Sequence, residues 1–561
     1  MTLEMIRPVA RAAVWRVDWQ LRRFRQGLYD CRGVQDRLRT AILRANRQSD
    51  FGRRHDFAAL RSYADFVRAV PAAHFSYYAP YIERCRAGDA GALFGPSERP
   101  LMFAVTSGTT GAPKYVPVTA RFMAAYRRGW DVWIAQYLAD HPQAYLRKVL
   151  QVSNACEDAP TPGGLPCGSI SAALARHQNP VVRCLYATPA DVARIPDAPS
   201  RYYATMRFAL PADVGTVVTA NPSTLVLLAQ TAERDALRLI RDIYDGGIDE
   251  AVELPSDVRG RLARLLRPSR RRSRTLELLL RQHGHLLPKD YWPSAGLAHW
   301  TGGTVGLYLP QVRQYYGGHP IRDIGLLATE GRMSIPLEDN TPAGVLDICA
   351  NFYEFVPEEE LSSLAPGDQA ATLPDHLTVL RAHELTKGGQ YFILLTNYAG
   401  LYRYHIGDLV RVTGHVGTTP VIEFLSRGAH TSSITGEKLT EHQVVAAVGD
   451  VMRQEGNDVT VFTMAPVWAD PPYYLLHFES RRVRGSDALL RLAEQVDQKL
   501  GQLNLEYRSK RQSRRLGALR VHPSADGTAG RIGPARHEQY KHRFLLNQPV
   551  QPEPCAMGPA A

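Results

Sequence analysis

Leu101-Met-Phe-Ala-Val105 is a short apolar run, and Thr106-Ser-Gly-Thr-Thr-Gly-Ala-Pro-Lys114 follows it directly. A second strand-like stretch then leads to Thr119, so residues 101–118 read as strand, glycine-rich loop and strand. The loop places two glycines and four hydroxyl residues within six positions. Glycine tolerates φ > 0 and lets the backbone come close to an anion. Successive backbone N–H groups can form a concave anion nest, with hydroxyls as further donors. Lys114 adds positive charge, and the whole suits the phosphates of a nucleotide. The spacing is not G-x-x-x-x-G-K-[ST], so the loop is not a Walker-type P-loop. A Gly/Thr-rich surface turn is the alternative reading.

The 561 residues exceed one ordinary core and predict two to four domains. No apolar run is long enough to span a bilayer. Met1 to Leu28 is rich in Arg and lacks the continuous apolar core of a secretory signal. It mimics a transit peptide, but Ile6, Val9, Ala13, Val17 and Leu21 at near-helical spacing predict an amphipathic surface helix. The seven cysteines are scattered, with no C-x-x-C, which suggests neither a zinc site nor a disulfide framework. A reducing cytoplasm is the simplest compartment. The net charge of +12 favours encounters with anionic small molecules. Basic residues concentrate in Arg259 to Arg281, where no aromatics interleave for base stacking. That pattern predicts a solvated helical linker, and no nucleic-acid partner is expected.

Residues 1–95 look mainly helical, with breaks at Ser49-Asp50-Phe51-Gly52 and Val70-Pro71. Thr119 can cap a helix through Arg121–Ala139. Val214–Thr219 reads as a strand, and Asn221-Pro222-Ser223 starts a helix. From 320 to 425 the pattern is strand-rich: Gly344–Ile348, Phe352–Val356, Tyr391–Thr396, Asp408–Val412 and Val421–Phe424. Beyond Arg427-Gly428 the character changes to a smaller α+β unit. It has helices from Glu441 and over Asp487–Leu503, and strands Val459–Met464, Tyr473–Phe478 and Leu516–Val521. These elements predict the α/β class: a large N-terminal domain, 1–427, on mixed β-sheets with flanking helices, and a small C-terminal α+β domain, 428–545. The tail 546–561 is rich in Pro and Ala and is expected to be disordered.

Four further motifs carry chemistry by their order. In Ala328-Thr329-Glu330-Gly331 a hydroxyl beside a carboxylate can hold an α-phosphate and Mg²⁺ at adjacent positions. In Leu401-Tyr-Arg-Tyr-His-Ile-Gly-Asp408 a carboxylate at a strand start can accept both hydroxyls of a ribose. A salt-bridged Arg/Asp turn is the alternative there. Arg427, followed by Gly436-Glu437-Lys438, lies at the junction of the two domains and suits a hinge. Gln539-Tyr540-Lys541 lies near the end of the small domain.

Taken together, over roughly residues 35–545, these motifs resemble the GH3 family of acyl-acid amido synthetases within the adenylate-forming enzymes. Phe352-Tyr-Glu-Phe-Val-Pro357 is similar to the family's aromatic-Glu-Phe-x-Pro strand, and Asp50-Phe-Gly-Arg53 and Val70-Pro71 match its helical start. The resemblance implies a two-step ligation. ATP with Mg²⁺ activates a small carboxylic acid as an acyl-adenylate, and an amino acid amine then attacks, releasing AMP. It makes 1–427 the adenylating domain and 428–545 a mobile lid. Ser107, Gly108, Thr109 and Thr110 would hold phosphates, Thr329 the α-phosphate, Glu330 the Mg²⁺ and Asp408 the ribose. Arg427 would sit at the hinge against ribose or phosphate, and Lys541 would be the catalytic cation. An acyl-CoA ligase, with a thiol acceptor, is the alternative. A monomer is expected. The family's adenine-side aromatic is replaced here by Leu326 or Leu327. The basic residue for the acid's carboxylate is left open between Arg127 and Arg128, on a helix that also carries Trp130 and Trp133.

Overall fold

The computed structural model describes residues 3–106, 114–152, 157–170, 173–174, 183–362, 371–427, 431–432, 434–435, 437, 439–455, 461–478, 486–512, 516–523, 543–547 and 549–550. The chain begins with helices α1 (Leu3–Gly27), α2 (Cys31–Asn46), α3 (Asp50–Arg54), α4 (Tyr63–Ala69) and α5 (Phe75–Arg86). Leu21 and Phe24 of α1 are buried while Trp15 and Trp19 are exposed, which gives the C-terminal part of α1 one apolar face. Ser49 caps α3 by accepting from Gly52 N, so Asp50–Gly52 is helical and the break predicted there lies just before it. A reciprocal capping box of Ser62 and Asp65 starts α4, satisfying donors that a helix end leaves open.

Among the described residues, three sheets of four or more strands and one two-stranded pair lie in the large unit. Strands β1 (Pro100–Thr106) and β2 (Lys114–Thr119) form an antiparallel hairpin, and β1 also pairs with β5 (Cys167–Gly168), itself joined to β4 (Glu157–Asp158). The hairpin leads into α6 (Ala120–Asp140). A parallel sheet orders β3 (Lys148–Gln151), β6 (Val214–Val218), β7 (Gly296–Ala298) and β8 (Ile321–Arg322) side by side. Parallel strands need long crossovers, and helices such as Ala198–Ala209 and Pro222–Arg234 supply them. Asn221 caps the second of these, as its position before Pro222 predicted.

The third sheet has the order β11 (Ser334–Ile335), β12 (Gly344–Leu346), β17 (Thr419–Arg427), β16 (Tyr404–Val416), β15 (Gln390–Thr396), β13 (Phe352–Pro357) and β14 (Leu380–Arg381). β13, β15 and β16 pair antiparallel along their lengths. One contiguous core joins this sheet to the helical start, with Phe51, Phe66, Tyr78, Tyr353, Ile393 and Tyr402 among its buried members. The Arg-rich segment forms two helices, Ser256–Leu265 and Arg270–His283. Its arginines serve the fold: Arg259 and Arg272 donate to backbone carbonyls, and Arg261 pairs with Asp191. No helix among the described residues is long and apolar enough to cross a membrane.

By compactness the chain divides into one unit of residues 1–301 and 312–424 and a second of 302–311 and 425–561. The second unit holds a sheet ordered β20 (Phe462–Val467), β21 (Tyr473–Phe478) and β22 (Arg520–Pro523), antiparallel then parallel. The short pair β18 (Thr431–Ser432) and β19 (Leu439–Thr440) precedes its first helix, Glu441–Gln454. Val448, Phe462, Leu476, Val496 and Leu500 are buried in its core. Two strands begin later than their apolar runs predicted, at Phe462 and at Arg520. Glu437 is fully buried and accepts from Ile434 N at 2.9 Å and Thr435 N at 2.8 Å, and Tyr474 also donates to it. The Gly436-Glu437-Lys438 motif therefore places a structural carboxylate at the start of this unit.

Candidate active site

The β1–β2 hairpin closes on the pair Thr106 and Lys114, so residues 107–113 form its connection. Ser107, Gly108, Thr109 and Thr110 lie in that connection, outside the described residues. Lys114 leaves the hairpin with its Nζ 5.3 Å from the centre of the Phe75 ring. At the far end of β2, Thr119 does two jobs with one hydroxyl. It accepts from Phe122 N at 3.2 Å, which caps α6, and it donates to Tyr398 O at 3.0 Å. The second bond ties the hairpin to the connection between β15 and β16.

That connection also holds the second motif. Thr329 and Glu330 are the turn between β9 (Leu327–Ala328) and β10 (Gly331–Arg332), which pair antiparallel. Asn397 Nδ2 donates to Glu330 O at 2.7 Å, while Asn397 Oδ1 accepts from Ala399 N at 2.9 Å. Glu330 is only 2% exposed, and Tyr404 Oη donates to its Oε1 at 3.4 Å. A carboxylate so deeply withdrawn from bulk water is costly unless charge or hydrogen bonds offset it.

The third motif divides into a scaffold and a functional end. Tyr402 is fully buried and stacks on Phe51, with ring centres 4.9 Å apart and planes at 17°. Arg403 adopts φ +50°, uncommon for a side-chain-bearing residue. Its Nε donates to Glu354 at 3.0 and 3.1 Å, and its Nη1 to Val70 O at 2.8 Å. The arginine of this motif thus pairs with Glu354, not with Asp408. That pairing explains Glu354 in β13 and the Val70 turn after α4 together.

Asp408 gets its position from a bulge. Leu394 faces His405 and Phe392 faces Leu409 across the β15–β16 ladder. Ile406, Gly407 and Asp408 therefore stand opposite Ile393 alone. Gly407 takes φ +85°, a conformation in which a side chain is strained. Bulges re-aim side chains and occur often beside active sites. Asp408 is 4% exposed at this bulge, and it lies on the same strand as Tyr404, whose hydroxyl is bonded to Glu330.

Several residues here were not singled out in the sequence. Asn397 has no motif signal, and Tyr404 stood inside the 401–408 motif without an assigned role, since both roles depend on contacts between distant segments. Asp323 accepts from Thr301 N at 2.6 Å, Thr301 Oγ1 at 2.7 Å and Gly325 N at 2.7 Å, yet burial pushes its carboxyl up to about 6. Arg332 is fully buried and desolvation lowers its guanidinium to about 10, with Asp347 as the main opposing charge. Arg332 lies 4.6 Å from the Trp130 ring centre. Trp133 donates to Asp323 O at 2.8 Å and stacks on Tyr137 with planes at 5°, which makes it a core residue. Arg128 is exposed and donates to Cys349 O at 3.2 Å. Trp300 donates to Gly325 O at 2.8 Å, which sets an aromatic beside the segment where Leu326 and Leu327 stand. Arg427 ends β17 with its side chain outside the described residues, and Lys541 lies outside them altogether.

Family models match most of the chain: the GH3 family N-terminal domain at residues 20–321, the central domain at 344–427 and the C-terminal domain at 442–550. The chain belongs to the GH3 family. The jasmonoyl–L-amino acid synthetase JAR6 of Nicotiana attenuata is 26% identical over 489 residues, covering 83% of this chain and 82% of that protein. The probable indole-3-acetic acid-amido synthetase GH3.4 of Oryza sativa subsp. japonica is 26% identical over 532 residues, 89% of this chain and 82% of that protein. Among solved structures, the GH3.15 acyl acid amido synthetase superposes with a TM-score of 0.79 at 18% identity, over 94% of both chains. This GH3 chain therefore has the α/β fold expected from its motifs.

Proposed function

We propose that this GH3 chain is an ATP- and Mg²⁺-dependent acyl-acid amido synthetase. It joins a small carboxylic acid to an amino acid through an acyl-adenylate. The observation that carries the reading is the role of residues 397–408. Through Tyr398, Asn397 and Tyr404 this one segment is bonded to the exit of the glycine-rich hairpin and to the Thr329-Glu330 turn, and it ends at Asp408. Three motifs separated by about 300 residues of sequence thus share one support.

The residues fit the nucleotide and its metal. Glu330 offers a buried carboxylate oxygen, the ligand type Mg²⁺ takes alongside substrate phosphates and waters. Bound there, Mg²⁺ would supply Lewis-acid stabilisation of charge on the phosphates. In the reading proposed, Ser107, Gly108, Thr109 and Thr110 cradle the phosphates, Thr329 orients the α-phosphate and Asp408 accepts from the ribose hydroxyls. Arg427 guides the hinge, and residues 428–545 act as a lid that carries Lys541 to the developing charge. The substrate carboxylate is itself the nucleophile, so catalysis is largely positioning and charge neutralisation. Dispersed cysteines fit a cytoplasmic enzyme, and a monomer suffices because every assigned residue lies in one chain.

A nitrogen acceptor is favoured over the thiol of CoA because the relatives are named as amino acid and amido synthetases. The test is acid-dependent exchange of pyrophosphate into ATP across aromatic, indolic and aliphatic acids, followed by mass analysis with pooled amino acids and CoA. Amide product is expected; a thioester alone rejects the acceptor, and no exchange with any acid rejects the adenylation step.

A further inference from the structure

Two helices of the first unit leave an apolar and basic face in water. In the helix Ala236–Asp245, Leu237 is 73% exposed and Tyr244 41%, with the exposed Arg241 between them. In the helix Arg270–His283, Leu278 is 65% exposed, and Arg270, Arg271 and Arg274 are exposed with it. Leu237, Arg241 and Tyr244 are spaced i, i+4 and i+7; Arg270, Arg274 and Leu278 are spaced i, i+4 and i+8. Each set therefore shares one face of its helix.

The two faces adjoin. Ser269 N donates to Ile243 O at 2.8 Å and Ser273 Oγ to Ile240 O at 3.0 Å, so the helices run antiparallel. Gly246 ends the first helix in the left-handed conformation, where a Cβ would meet Pro268 at 2.6 Å. This register sets Tyr244 about level with Arg270, Arg241 with Arg274 and Leu237 with Leu278. Arg270 lies over the Tyr244 ring, 5.3 Å from its centre.

The fold uses the inward sides and not this outer face. Leu239, Ile240, Ile243 and Leu276 are buried beneath it, and Arg272 donates inward to Leu210 O and Tyr291 O. Arg270, Arg271 and Arg274 form no ion pair among the described residues. The acids nearby offset little of their charge. Glu277 pairs with Arg281 at 2.5 Å, Asp249 with Arg238 and Arg241, and Asp242 is buried, which leaves Asp245 exposed at the helix end. Single surface leucines are ordinary. Two at one level inside a frame of arginines are the pattern of a helix that lies in a membrane interface.

We propose that this two-helix face docks on an anionic membrane surface. Arg270, Arg271 and Arg274 meet the anionic headgroups, and Leu237 and Leu278 enter the boundary of the acyl chains. Tyr244 lies at headgroup level, where tyrosine concentrates in membrane proteins. A nucleic acid fits this face less well, because bases stack on open aromatic rings and Arg270 already covers the one ring here. The docking is peripheral and does not depend on the proposed ligation.

Sedimentation of the full chain with vesicles tests this. Vesicles of phosphatidylcholine alone are compared with vesicles of phosphatidylcholine and phosphatidylserine in equal parts. Two variants are used, Arg270→Gln/Arg271→Gln/Arg274→Gln and Leu237→Gln/Leu278→Gln; both alter exposed side chains in helices that glutamine suits, and an unchanged melting temperature verifies their folding. The chain should bind the serine-containing vesicles, bind phosphatidylcholine at least about tenfold more weakly, and be released by high salt. Each arginine removed should weaken binding about fivefold, and the leucine pair should weaken it about tenfold or more. Absence of binding to the serine-containing vesicles, equal binding to both vesicles, or binding that survives either set of substitutions overturns the proposal. Capture of single-stranded RNA without capture of vesicles overturns it in favour of a nucleic acid, and a dimer that the leucine variant dissociates, without vesicle binding, in favour of a second copy of the chain.

Discussion

At the scale of single residues, the site rests on buried charges whose partners are fixed. Arg403 and Glu354 are 5% and 1% exposed at their side chains, so each depends on the other. Arg403→Met should destabilise the first unit by about 3–5 kcal/mol, because it strands a buried carboxylate; urea unfolding reads this, and a change within error contradicts the scaffold role. Asp323 gives a pH prediction. Its folded carboxyl titrates at about 6, above the ordinary 3.9 of an unfolded Asp. The folded state therefore holds a proton more tightly than the unfolded state between those values. Its contribution to stability is full below pH ~4 and is lost as pH rises through ~6, by up to about 2–3 kcal/mol. Asp323→Asn should remove that part of the pH dependence, and an identical slope in the variant excludes Asp323 as its source. Glu330 and Asp408 were singled out in the sequence by the order of the motifs that contain them, since a Thr-Glu pair on its own is usually loop polarity. Glu354, Asn397 and Tyr404 were not legible as partners, since their partners lie 49, 67 and 74 positions away.

At the scale of elements, near-continuous apolar runs gave β13, β15 and β21 nearly as they stand, and capping residues gave the starts of α6 and of the helix from Pro222. The bulge in β16 was invisible. Its sequence reads as a strand starting at Asp408, whereas the strand starts at Tyr404, because register is set by the neighbouring strand and not by local pattern. The hairpin of β9 and β10 was equally hidden, since two-residue strands carry no period. The bulge has a functional consequence. Asp408→Ala should weaken ATP binding by about tenfold or more, the loss of a charge-assisted hydrogen bond. Gly407→Ala should cost about 1 kcal/mol through strain alone, since the space around its Cβ is open, and should weaken ATP in the same direction. Equilibrium binding of a non-hydrolysable ATP analogue measures both, and unchanged affinity in Asp408→Ala removes the ribose assignment.

At the scale of the whole molecule, the chain was read as changing character beyond Arg427-Gly428; by compactness the second unit takes in 425–561 and also 302–311, which no local sequence signal marks. That short stretch joins its unit by packing beside the helix Glu441–Gln454, a contact that no local signal announces. If residues 428–545 act as a lid, Lys541→Ala should slow pyrophosphate exchange by at least about a hundredfold with ATP affinity nearly unchanged, as for a group that acts on developing charge. Equal losses in rate and affinity would make Lys541 a ground-state ligand instead.

The central claim is that this GH3 chain forms an amide through an acyl-adenylate. A carboxylic acid labelled with ¹⁸O in both oxygens tests it most directly, with AMP and amide analysed by mass after turnover. The account predicts one ¹⁸O in AMP for each amide formed, carried there by the acyl oxygen that attacked the α-phosphate. Amide formed with unlabelled AMP, or with the label in inorganic phosphate, would contradict it.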